Sequence, residues 1–309
     1  MRAVVISQWG GPEVLTEVEA DRPEPGLNEI LVRVRAAGVN PVDWKTRAGG
    51  ALIGWGETPM VGWDVSGTVE AVGPGVTVYR PGDEVYGMPH FPRQAGGYAE
   101  YVAAPARHFA RKPASLDHVQ AAALPLAALT AWQALVEGAG LQPGERVLVH
   151  AAAGGVGHLA VQIAKARGAY VIGTASAAKH GLLRGLGADE LVDYRAQDFA
   201  EAVSEVDVVL DGLGGEVARR SLEVLKPGGR LVSLPGPGDV PAEAAERGVH
   251  ASWMLVEPDR KGLEEIAALA DRGLLKPMVD TVLPLEQAAR AHEIGEQGRT
   301  TGKIVLTVA

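Results

Sequence analysis

Residues 146–157 read RVLVHAAAGGVG, and the reading of this stretch decides the fold. An apolar β-type run (Val147, Leu148, Val149) gives way to small residues. The chain then turns through Ala153, Gly154, Gly155, Val156 and Gly157 and enters HLAVQIAKARG, a helix-like segment. Strand, glycine turn and helix in that order form the dinucleotide-binding unit of a βαβ fold. Ala152 stands in the place of the first fingerprint glycine, while Gly154 and Gly157 hold the second and third. Gly154 lets the backbone approach a pyrophosphate, and Gly157 lets the helix close on the strand. The helix N-terminus then offers N–H groups and a partial positive charge to the phosphates.

The residues beyond the turn select the dinucleotide. A NAD site places an Asp or Glu about 20 residues past the glycines, on the ribose 2′-hydroxyl. Residues 170–180 here read YVIGTASAAKH, with no carboxylate at the end of the second strand. Thr174, Ser176 and Lys179 stand there instead, with Tyr194 and Arg195 closing the third strand nearby. Hydroxyls and cations donate to a 2′-phosphate that an acid would repel. The expected cofactor is therefore NADPH. Lys179 as a solvated first-turn residue is the alternative.

Composition bounds the rest. A chain of 309 residues is long enough for two domains, and 47% hydrophobic residues supply sizeable cores. A net charge of −9 disfavours nucleic acid or an anionic membrane as partner. There is no cysteine, hence no disulfide framework and no thiolate metal site. The opening MRAVVISQWGGPEVL lacks the apolar core of a signal peptide, and the most apolar stretch, residues 119–136, is interrupted by Pro125, Gln120 and Gln133. The expectation is a soluble cytoplasmic protein.

Along the chain the texture changes twice. Up to about residue 115, short alternating strands are punctuated by Gly and Pro, as in an antiparallel barrel. From 118 the rhythm becomes strand, helix, strand, as in a doubly wound parallel sheet. The tail after 258 resembles neither core and returns to complete the first. The expected fold is thus α/β, with a Rossmann domain over 118–257 and a β-barrel domain made from 1–117 and 258–309.

Eight blocks, in order along the chain, carry a resemblance to a family. They are residues 38–43 (GVNPVD), 62–69 (GWDVSGTV), 81–85 (PGDEV), 96–101 (GGYAEY), 124–131 (LPLAALTA), 152–157 (AAGGVG), 225–230 (LKPGGR) and 301–306 (TGKIVL). With them the whole chain resembles the zinc-free medium-chain dehydrogenases/reductases, in the quinone oxidoreductase and alkenal (enone) reductase branch. The resemblance implies a GroES-like barrel joined to a Rossmann domain, and often a homodimer through an edge strand of the Rossmann sheet.

Zinc-dependent relatives use a Cys early in the barrel, a His-Glu pair about 25 residues later and a four-cysteine lobe. This chain has Asn40-Pro41 and Trp63-Asp64 at the two catalytic places and lacks the lobe; its eight histidines show no paired ligand spacing. No metal is expected. Without a metal to stabilise an alkoxide, the accessible reaction is hydride addition from NADPH to an electron-poor small molecule, a quinone or an α,β-unsaturated carbonyl. The enolate or phenolate oxygen that develops needs hydrogen-bond donors.

The segment around Asn40 is the expected source of those donors. Asn40 can donate to a carbonyl or cap the turn before Pro41. Asp43 orders that turn or pairs with Arg47. Lys45 stands where many quinone reductases of the family carry Tyr; a cation there can polarise a carbonyl, or lie exposed. Trp44, Trp55 and Trp63, with Trp253 far along the chain, form either an apolar wall for a planar acceptor or ordinary core. Residues 49–56 read as a flap or a variable loop. The resemblance places Thr130 beneath the nicotinamide and Lys303 among the cofactor-binding residues. Leu213, Leu234 and Pro235 follow the fourth and fifth strands, at the carboxyl edge that holds ligands in open α/β sheets. Two other readings stay open: an enoyl-thioester reductase of the same fold, and an NADPH-binding sensor without turnover.

Overall fold

The computed structural model describes residues 1–50, 59–236 and 238–308; the flap reading of residues 49–56 and Trp55 therefore fall largely outside the described residues. The chain divides into two compact units. One comprises Met1–Leu129, Glu257–Gly273 and Pro277–Ala309, and the other Thr130–Val256 with Leu274–Lys276. Residues 118–129 thus group with the first unit.

The first unit opens with an antiparallel ribbon of β1 (Arg2–Ile6) and β2 (Leu15–Glu19). Its main sheet is built on β3 (Glu29–Val39), β4 (Asp64–Val72), β5 (Glu84–Gly87), β6 (Tyr101–Pro105) and β7 (Phe109–Arg111). The long β3 pairs antiparallel with β4 and β6, and its register with β4 slips between Leu31 and Val32 and again between Val34 and Ala36. Such irregularities bend a strand and increase its twist, so one strand serves two neighbours on a curved surface.

The second unit is a six-stranded sheet in which every pairing is parallel: β8 (Arg146–Val149), β9 (Tyr170–Thr174), β10 (Glu190–Val192), β11 (Val206–Asp211), β12 (Leu225–Ser233) and β13 (His250–Trp253). The order is β10-β9-β8-β11-β12-β13. Numbered within the unit this is 3-2-1-4-5-6, the Rossmann order, with its topological switch between β8 and β11. Val147, Leu148 and Val149 are all fully buried, as expected of a strand covered on both faces. The core includes Leu148, Ile172, Val206, Val209 and Leu231.

The chain then returns to the first unit, where β14 (Val279–Pro284) and β15 (Lys303–Thr307) pair parallel and β15 adds antiparallel to β3. This return brings the C-terminal strand beside Asn40. Among the described residues no helix is long and apolar enough to cross a membrane.

Gly38, near the end of β3, is confined by its neighbours. A Cβ there would lie 2.3 Å from the Ala122 carbonyl oxygen and 2.8 Å from the Asp64 Cβ, both rigidly held. Gly38→Ala is expected to destabilise the protein by about 1–3 kcal/mol, as overpacking of a filled site does. Thermal unfolding monitored by circular dichroism checks this, and an unchanged midpoint would refute it.

Candidate functional site

The first unit carries a buried polar cluster at the end of β3. The helix Pro41–Gly49 begins after Asn40, with Pro41 at its first position, where a missing N–H is harmless. The Asp43 carboxylate reaches back to the Asn40 backbone N–H at 2.7 Å and also accepts the Gly62 N–H at 2.9 Å. Asp43 therefore orders the turn, one of its two expected roles. It does not pair with Arg47.

The Asn40 side chain, at the head of this helix, also has two charged partners. It lies between Asp64 and Lys303, donating from Nδ2 to Asp64 Oδ2 at 2.8 Å and accepting from the Lys303 ammonium on Oδ1. A lysine only donates and a carboxylate only accepts, so these partners fix which end of the carboxamide is which. Lys303 also donates to Asp64 Oδ2 at 3.2 Å, and Asp64 Oδ1 accepts the Leu126 N–H at 2.6 Å. Asn40, Asp64 and Lys303 are 2%, 0% and 3% exposed. The Lys303 charge is thus engaged inside the first unit, by Asn40 and Asp64.

A second branch leaves Asp43 for the surface. The Arg47 guanidinium, 2% exposed, donates to the Gly10 carbonyl and to Glu296, and its Nη1 lies 3.2 Å from His292 Nδ1. Arginine has no acceptor, so Nδ1 accepts and the imidazole carries its proton on Nε2. That N–H faces the Tyr98 oxygen at 3.3 Å, and the Tyr98 hydroxyl is hydrogen bonded to Asp43. Burial and the Arg47 charge push the His292 pKa down to about 3, keeping it neutral. Burial likewise holds the Tyr98 phenol well above its usual range, with the Asp43 charge adding to the effect. Asp43 is pushed up to about 7, mainly by burial, against the lowering effect of its two backbone N–H donors.

Lys45 is exposed on the same helix. Of the tryptophans read either as an apolar wall or as core, Trp55 lies outside the described residues. Trp63 is fully buried, with its indole N–H on the Arg93 carbonyl and its ring edge-on to Phe91. Trp44 is half-buried against His292.

In the second unit the glycine turn leads from β8 into the helix Gly157–Ala166. Ala151 adopts a left-handed φ of 49° to make the turn. A Cβ on Gly157 would meet the Ala151 carbonyl oxygen at 2.3 Å, so this position admits only glycine, and close helix–strand packing is the reason. At Gly154 a Cβ would meet only that oxygen, at 3.2 Å. Ala153 is buried, whereas Gly154, Gly155 and Val156 are partly exposed at the head of the helix.

Ser176 and Lys179 follow the carboxyl end of β9, and Tyr194 follows that of the adjacent β10. Tyr194 is 58% exposed, with the Arg195 guanidinium 5.7 Å from its ring centre. The segments that carry Ser176, Lys179 and the Tyr194–Arg195 pair thus leave the carboxyl ends of two adjacent strands, on the side of β8 away from β11. Thr174, at the end of β9, turns inward. Ser221 donates its hydroxyl proton to the Val217 carbonyl, so it accepts from His150 Nε2, and His150 Nδ1 must accept from Thr174. Thr174 is 4% exposed and its hydroxyl bonds to His150. Burial lowers the His150 pKa to about 4, in keeping with a single ring proton.

On the other side of the switch, Asp211 is fully buried and accepts the Leu213 and Gly214 N–H groups and the Ser233 hydroxyl, which makes it a turn anchor. Leu213 is exposed, Leu234 partly exposed and Pro235 exposed at the same edge; Thr130 is buried at the start of this unit. Asp64, Tyr98 and His292 are the residues that sequence reasoning missed. Asp64 and Tyr98 left a trace, in their positions within the blocks 62–69 and 96–101; His292 looked like any scattered histidine.

Among the described residues no group of three or more His, Asp or Glu is placed to hold a metal ion. Residues 26–114 match the alcohol dehydrogenase GroES-like domain family and residues 186–306 the zinc-binding dehydrogenase family. The human quinone oxidoreductase is 32% identical over 99% of this chain and 97% of its own length. A tomato (Solanum lycopersicum) 2-methylene-furan-3-one reductase is 36% identical over 99% of this chain and 79% of its own. A segment amounting to 5% of the polyketide synthase GfsB of Streptomyces halstedii is 43% identical over 91% of this chain. The structure of Escherichia coli quinone oxidoreductase complexed with NADPH superimposes with a TM-score of 0.87 at 31% identity, covering all of both chains.

Two measurements probe the buried cluster. Lys303→Met leaves the Asp64 anion without its counter-charge, and losing one partner of a buried pair costs about 3–5 kcal/mol; adding Asp64→Asn is expected to recover part of that in chemical denaturation. The second concerns pH. Because the folded-state pKa of Asp43 is raised from 3.8 to about 7, the native state holds a proton that the unfolded chain has lost across that window. Its contribution to stability is full below the lower value and is lost as pH rises to the upper one. The buried histidines, with lowered pKa values, act in the opposite sense. The stability of Asp43→Asn minus that of wild type is therefore expected to rise between pH 4 and 7, and a flat difference would show Asp43 to be ionised throughout.

Proposed function

This chain belongs to the zinc-free medium-chain dehydrogenase/reductase family, in its quinone oxidoreductase branch, and we propose that it reduces a quinone or an α,β-unsaturated carbonyl with NADPH. The observation that carries the cofactor choice is the edge formed by β9 and β10. Ser176, Lys179 and the Tyr194–Arg195 pair follow the ends of those strands, where a NAD site would carry an acid. The Gly157 turn and the N-terminus of the helix Gly157–Ala166 suit a pyrophosphate. The complex of the E. coli relative supports the same choice.

When bound, NADPH supplies the hydride. The chain's own part is to orient and to stabilise charge. Asn40 has one Nδ2 proton committed to Asp64 and its Oδ1 committed to Lys303. Its second N–H is left to meet the acceptor oxygen as negative charge develops there. Lys45, exposed one turn along the same helix, polarises that carbonyl. Asp43, fully buried and held by two backbone N–H groups, acts by positioning Asn40 rather than by touching substrate. The quinone and furanone reductases among the relatives support both acceptor classes.

The test measures NADPH oxidation with a 1,4-quinone and a short enone, with NADH as cofactor control, on wild type, Lys45→Ala and Lys179→Ala. Lys179→Ala is expected to raise the KM for NADPH roughly tenfold, the loss of one charge-assisted hydrogen bond, without affecting NADH. Enone turnover that falls in Lys45→Ala assigns carbonyl polarisation to that lysine, whereas unchanged turnover removes it from the mechanism. No turnover with either acceptor, but turnover with an enoyl thioester, would replace the reading.

A further inference from the structure

Among the large apolar side chains most exposed in the second unit, Trp253 and Leu213 stand at the same end of the sheet. Trp253 closes β13 and is 47% exposed; Leu213 follows β11 and is 54% exposed. The three loops at this end touch in sequence. A Cβ on Gly214 would lie 3.3 Å from the Pro235 ring, and the Trp253 indole N–H donates to the Leu234 carbonyl at 3.1 Å. The indole is thus folded inward over the carboxyl end of β12, with one polar tie limiting its rotation and half of its surface left uncovered. Its direction matters, because β13 is the last strand of the sheet. A strand added to that edge would meet the β13 backbone on the side away from β12, whereas the ring lies toward β12.

A Rossmann sheet binds its two mononucleotide halves on either side of the switch point. The edge of β9 and β10 that carries Lys179 and Arg195 lies on one side, so β11, β12 and β13 would hold the half whose ring donates the hydride. With strands about 4.8 Å apart, the end of β13 is about 15 Å from that of β8, on the same side of the switch as that half. An exposed, oriented aromatic face offers offset stacking to another flat π system. We propose that Trp253 is a specificity-determining residue whose indole face receives a flat conjugated ring acceptor beside the reducing end of the cofactor. This rests on the reductase reading above and deepens it, favouring ring quinones over small acyclic enones.

The experiment compares wild type, Trp253→Phe and Trp253→Ala for KM and kcat with 1,4-naphthoquinone and with 3-buten-2-one, for NADPH affinity, and for native mass by light scattering. Trp253→Ala is expected to raise KM for naphthoquinone roughly five- to tenfold, from lost stacking and buried area. The butenone KM and NADPH affinity should stay within about twofold, and Trp253→Phe should recover most of the naphthoquinone KM. Equal effects on both acceptors, or none, overturn the inference and leave the reductase reading standing. A change in native mass with unchanged kinetics also overturns it and makes Trp253 a contact between copies of the chain. A wild-type protein that neither binds NADPH nor reduces either acceptor overturns the reductase reading and this inference together.

Discussion

The Asp64 carboxylate, fully buried and answered by the Lys303 ammonium, constrains the first unit more than any other contact. An isolated charge in that position would be untenable, because burial strips its hydration without replacement. Here both carboxylate oxygens are used. Leu126 N–H takes one oxygen, and Asn40 and Lys303 share the other. The start of β4, the end of β3, the head of the helix that follows Leu124 and the first residue of β15 are thereby brought to one point. Such a pair contributes little net stability compared with an apolar filling of the same volume. What it dictates is geometry, since only one arrangement of these four segments satisfies it.

Asn40 and Asp64 stand at the two sequence positions that the family resemblance gives to ligands in zinc-dependent relatives. In this chain the cation beside them is a side chain. Asn40 stands between an obligate donor and an obligate acceptor, and its carboxamide cannot flip without losing both bonds. Asp43 and Tyr98 extend the order to His292, whose ring proton is assigned by Arg47, a partner that can only give. A donor held this firmly needs little reorganisation when charge develops on an acceptor.

The second unit solves a different problem. Parallel strands covered on both faces leave ligand chemistry only at their carboxyl ends. Polar residues just below those ends are drawn inward. His150 is held neutral between Thr174 and Ser221, and Asp211 is saturated by turn N–H groups and Ser233. Beyond those ends the side chains are more exposed: Tyr194, Leu213 and Pro235 each stand two residues past a strand, and Trp253 closes β13. A shift of two residues, from Thr174 to Ser176, separates a structural hydroxyl from one placed at the edge.

The sequence by itself determined what depends on local periodicity and backbone sterics. The run of valines and leucine at 147–149 and the glycine at 157 specified strand, turn and helix, because a Cβ at 157 has nowhere to go. The strand rhythm then required a parallel sheet, and the absence of cysteine ruled out a thiolate metal site. Tertiary structure alone decided which side chains meet. Asp64 and Lys303 lie 239 residues apart, Arg47 and His292 245 apart, and no period links them. It also decided direction. Periodicity tells which face of a strand is buried, but only the neighbours packed against it tell whether a hydroxyl such as Thr174 answers a histidine inside or a phosphate outside.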